Sequence, residues 1–163
     1  MVKTHGINTR VDLGGSLDSA AWQIHTQSAL FSTKRIVEKV EDFAARMGKR
    51  VLYVLFYNGA ALARRITEGT RFDQEFIDFL TQRNLPFVDM LEAHVTDFAQ
   101  FKISVQEYIP RYYIGHYNPM GNFFTAFAIK GKLVTMLDPK PPSYLSCDGS
   151  NDNSSKPRDR SDQ

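Results

Sequence analysis

The chain has 163 residues and a mass of 18.6 kDa, with 20 basic against 18 acidic side chains, 42% hydrophobic residues and one cysteine. That length sets a ceiling of one compact domain, and a formal charge of +2 is too small to argue for nucleic acid or an anionic membrane as partner, where a clustered basic face is expected. Cys147, alone, supplies neither a disulfide framework nor a thiolate metal cluster.

The first ten residues, Met1 to Arg10, lack the apolar core of a signal peptide, and the apolar run Val51 to Phe56 is far too short to span a bilayer. Residues 148–163 contain no hydrophobic side chain. The expected organisation is therefore a domain over residues 1–147 and a solvated polar tail over 148–163.

In chain order, Ile7, Thr9, Val11 and Leu13 alternate with polar residues as in a half-exposed strand, and Gly14-Gly15-Ser16 ends it. Ile36, Val40, Phe43 and Met47 follow at helical spacing, which predicts an amphipathic helix stopped by Gly48. Val51-Leu52-Tyr53-Val54-Leu55-Phe56 does not alternate, the habit of a parallel strand covered on both faces. Phe72, Phe76, Phe79 and Leu80 predict a second helix closed at Asn84, and Pro86 to Met90 a short second buried strand. A helix over residues 91–101 comes next, then an aromatic-rich loop over 108–117. Asn118-Pro119 makes an N-cap and first-turn pair for a last helix carrying Phe123, Phe124, Phe127 and Ile129.

Helix and strand in alternation predict an α/β fold with a parallel sheet. Two clear strands and one half-exposed strand are fewer than the about four to six of an open sheet. The sheet is therefore expected to be incomplete, finished either by another chain, as in a homo-oligomer, or by the rest of a larger domain.

The segment Gly115-His116-Tyr117-Asn118-Pro119-Met120-Gly121-Asn122, followed by an aromatic and alanine-rich helix, resembles the histidine block of the SGNH (GDSL-like) hydrolases. The likeness runs over roughly residues 28–137 and corresponds to the C-terminal half of that family's domain. It implies a three-layer α/β/α, flavodoxin-like fold around a parallel sheet. It further implies hydrolysis of an acyl or acetyl ester of a small molecule, lipid or carbohydrate, with a serine nucleophile, His116 as the base and no cofactor. Where the family carries an aspartate three residues before the histidine, this chain has Tyr113; Asp89 is the candidate to orient His116, with Glu107 a second. Where the family carries Gly-Asp-Ser, the nearest echo is Gly14-Gly15-Ser16-Leu17, which makes Ser16 the candidate nucleophile. No oxyanion-hole block is recognisable between Ser16 and Val51, so the chain is expected to be truncated or weakly active as a hydrolase.

Further candidates rest on position alone. Asn58 follows the carboxyl end of the best strand, where α/β folds place ligand-binding loops, and with Tyr113 and Asn118 makes up the candidate substrate-binding set. His5, His25 and His94 have no partners at metal-ligand spacing, so no metal site is expected. The alternative function is a non-catalytic binding or assembly module on the same scaffold, using the aromatic loop or an open sheet edge.

Overall fold

The computed structural model describes residues 17–139. The half-exposed strand, the Gly14-Gly15-Ser16 turn, Cys147 and the polar tail lie outside them. The first element is α1 (Leu17–Arg46), which ends at Gly48 in a left-handed conformation. Its buried side chains are Val37 and Ala44, with Leu30 partly buried against the same cluster. These positions recur every seven residues and so lie on one stripe of the helix. The predicted stripe, offset from it by one residue, is turned outward at Ile36, Phe43 and Met47.

The run at 51–56 becomes β1 (Tyr53–Leu55), and α2 (Gly59–Glu68) and α3 (Gln74–Gln82) carry the chain over to β2 (Phe87–Asp89). The strands pair in parallel, Tyr53 with Phe87, Val54 with Val88 and Leu55 with Asp89. Tyr53, Leu55 and Phe87 join Leu30 and Val37 of α1 and Phe76 and Leu80 of α3 in one apolar cluster. Ion pairs from Lys34 to Glu75 and from Arg83 to Glu38 tie α1 to α3 and the segment after it.

Three helices follow, α4 (Met90–Phe98), α5 (Val105–Tyr112) and α6 (Pro119–Met136). They build a second core in which Leu62 of α2 and Leu91 of α4 meet Tyr108, Tyr112 and Tyr113, with Ile66, Phe98 and Phe124 around them. The sequence reads residues 108–117 as a loop, yet 105–112 form a helix. Its start is written in Ser104 and Glu107, whose side chains and backbone N–H groups cap one another reciprocally. Pro110 lies six residues in and forgoes only one bond of a two-turn helix.

The expected three-layer α/β/α fold is not what forms. The structure is 68% helical, with six helices and a two-stranded sheet among the described residues. Each apolar run yields only three paired residues, and the segments between the runs have helical rather than alternating periodicity. No helix is long and apolar enough to cross a membrane among the described residues.

Candidate functional site

His116 sits at the tip of a tight turn. Tyr113 and Tyr117 form an antiparallel bridge, the Ile114 N–H donates to the His116 carbonyl at 2.8 Å, and Gly115 takes φ +91°. A side chain at that φ would be strained, which is why glycine stands there. Tyr117 meets Phe56 edge-on at 5.9 Å, so the turn rests at the carboxyl end of β1. The His116 ring is exposed, with Nδ1 2.8 Å from the Tyr117 carbonyl. A carbonyl only accepts, so Nδ1 carries the proton and the Nε2 lone pair is left facing away from that bond.

The candidate orienting acids are engaged elsewhere. Asp89 Oδ1 caps α4 by accepting from the Leu91 and Glu92 N–H groups, and its Oδ2 accepts from Arg71 Nη1 at 2.7 Å. Glu107 is in the α5 capping box, where hydrogen bonds from Ser104 hold its carboxyl below the usual range. Ser16 lies outside the described residues.

Each candidate binding residue has a structural task. Asn118 is a splice between helices: its N–H donates to the Tyr112 carbonyl at 2.9 Å and its Nδ2 to Arg111 at 2.9 Å, while its Oδ1 accepts from the Gly121 N–H at 2.9 Å. Gly121 is needed because a Cβ there would lie 2.5 Å from both the Tyr112 carbonyl oxygen and the Tyr117 ring. Tyr113, 7% exposed, belongs to the core. Asn58 caps α2, Oδ1 accepting from the Ala61 N–H at 2.8 Å, and lines an open cleft.

Two buried polar networks were not legible in the sequence. In the first, the nearly buried Arg71 guanidinium contacts Asp73 at 2.9 Å, Asp89 at 2.7 Å and the Tyr57 hydroxyl at 2.8 Å. Burial opposes its charge, but the bonds to Asp73 and Asp89 outweigh it and raise its pKa; burial and the bond to Asp73 likewise raise that of Tyr57. In the second, Tyr117 Oη lies 2.9 Å from His94 Nε2, His94 Nδ1 lies 3.0 Å from Tyr108 Oη, and the Tyr108 and Tyr112 hydroxyls donate to Asp97 at 2.8 Å. With its proton given to Asp97, Tyr108 accepts from Nδ1–H, so Nε2 accepts from Tyr117. Burial lowers the His94 pKa to about 4 against a smaller opposing pull from Asp97, and pushes Tyr112 up to about 12. Spacing gives no hint of this: the residues that close on His94 come from α4, α5, the histidine turn and α6.

The cleft beside Asn58 has a volume of about 460 Å³. One wall is the first half of α1, with Trp22 and His25; the other is α2 and the segment before α3, with Arg64 and Phe72, and Leu91 at the start of α4 reaches it. Its position beyond the carboxyl ends of β1 and β2 is where α/β units bind ligands. Among the described residues no three His, Cys, Asp or Glu side chains are grouped to hold a metal ion. No family model, curated protein or solved structure matches the chain.

Proposed function

We propose that this chain carries the general base of an ester hydrolase, His116, working with a serine nucleophile outside the described residues, for which Ser16 is the candidate. The observation that supports the reading is the Nδ1 bond to the Tyr117 carbonyl, on an exposed turn at the carboxyl end of β1. It fixes the tautomer in which Nε2 takes the serine proton as the serine oxygen attacks the ester carbonyl. The imidazolium then returns that proton to the departing alcohol, and a water molecule repeats the sequence to free the acid. A carbonyl stabilises the imidazolium less than a carboxylate does, so turnover is expected to be slow.

The test is hydrolysis of p-nitrophenyl acetate by the full chain. The expected result is a rate above buffer that falls about ten-fold or more in His116→Ala and in Ser16→Ala, with circular dichroism unchanged. A rate at the buffer level, or one indifferent to His116→Ala, overturns the reading.

The cleft favours a second reading, a binding module that performs no chemistry, because it combines apolar walls with a few polar groups without needing His116.

A further inference from the structure

The geometry points to a ligand class for the cleft: we propose that it binds a small amphipathic anion, a flat apolar body ending in a carboxylate, phosphate or sulfonate. The inference rests on the binding reading and is independent of His116. At about 460 Å³ the space falls within the range of small-molecule sites, about 300–1,000 Å³. Trp22 and Phe72 both line it and both remain about half exposed, which leaves two aromatic surfaces for a flat body to cover.

The polar lining is one-sided. Among the described residues no Asp or Glu lines the cleft, whereas Arg64, Arg71 and His25 do. Arg71 is already neutralised by Asp73 and Asp89 and offers an anion little. Arg64 is different: its side chain is 57% exposed, and its ion pair with Glu68 is 3.9 Å long and equally exposed, which contributes little. Asn58 spends its Oδ1 on the cap of α2, which leaves the Nδ2 donor. The first-turn N–H group of α2 at Ala60, which lines the cleft, has no carbonyl four residues back within the helix, and that turn contains no acid. A guanidinium, an amide donor and a helix start along one acid-free cleft suit an anionic head and repel a cationic one.

Trp22 is the sole tryptophan of the chain, so its indole N–H gives one isolated nuclear magnetic resonance signal that reports the cleft directly. The full chain is titrated with 1-naphthoate, the neutral 1-naphthamide and the cationic 1-naphthylmethylamine. The expected result is a saturable shift with naphthoate at about five-fold or greater preference over the amide, and little or no response to the amine. Arg64→Met should weaken naphthoate about five-fold without changing the amide, and Arg64→Lys should recover part of the loss. Equal affinity for naphthoate and amide, or an Arg64→Met variant that binds naphthoate as the wild type does, removes the anion assignment while leaving the binding reading. No shift with any of the three removes both.

Discussion

His94 is held by two tyrosine hydroxyls and packed against the rings of Tyr112, Tyr113 and Phe124, with the Phe124 ring centre 4.5 Å away. A charged imidazolium there would lose its hydration and gain only the nearby Asp97 in exchange, which is why the folded protein keeps the ring neutral. The consequence for stability has a definite sign. The unfolded chain protonates this ring near 6.5 and the folded chain near 4, so between those values the unfolded state binds more protons. The stabilisation is complete above about pH 6.5 and is lost as the pH falls toward 4. Between pH 7 and pH 5 the loss from this group is about 2 kcal/mol. Urea unfolding at the two pH values should show it, and His94→Gln, less stable at pH 7, should show a smaller difference; an equal difference in both proteins would assign the pH dependence to the carboxylates.

At the scale of elements, Arg71 joins pieces that the chain keeps far apart. Tyr57 follows β1, Asp73 precedes α3, Asp89 ends β2 and Glu92 lies in the first turn of α4, and all four lie within reach of one guanidinium. The network therefore pins the carboxyl ends of both strands to the helices that follow them. Its value lies in the cost of breaking it. Arg71→Met leaves the Asp73 and Asp89 carboxylates with little exposure and no cation, at a cost of about 3–5 kcal/mol. A thermal melt of that variant should move down sharply, and a shift of less than a few degrees would mean that water reaches the carboxylates. The junction of α5 and α6 is built differently, from Asn118 bonding the end of one helix and the start of the next while Gly121 lets their backbones approach.

At the scale of the whole molecule, the described residues gather into two apolar clusters on a very short sheet. One gathers α1, α3 and the strands; the other gathers α2, α4, α5 and α6. Large apolar side chains remain outside both, including Ile36, Phe43 and Met47 on α1 and Met120, Phe123 and Phe127 on α6. Apolarity therefore does not predict the effect of truncation in this protein; burial does. Leu80→Ala, at a position 0% exposed, should cost about 2–5 kcal/mol, whereas Phe127→Ala, at 69%, should stay within about 0.5 kcal/mol of wild type. Chemical denaturation of the two variants measures the contrast, and a large loss in Phe127→Ala would show that α6 is covered in solution.

Much of the local structure is written in short sequence signals. Asn118-Pro119 starts α6, Gly48 stops α1, Ser104 with Glu107 caps α5, and the apolar runs at 51–56 and 86–90 hold the two strands, because caps and periodicity act within a few residues. The same signals place His116 on a turn ahead of α6. Tertiary structure alone decided the rest. It chose the Leu30, Val37 and Ala44 stripe of α1 over the more apolar stripe beside it, since which face is buried depends on where α3 and the strands lie. It gave Asp89 to Arg71, 18 residues away, and closed four tyrosines on His94 across up to 23 residues of chain. Such pairings are between side chains distant in sequence, and no local pattern records them, because their energy comes from desolvation and hydrogen bonding that exist only once the chain has folded.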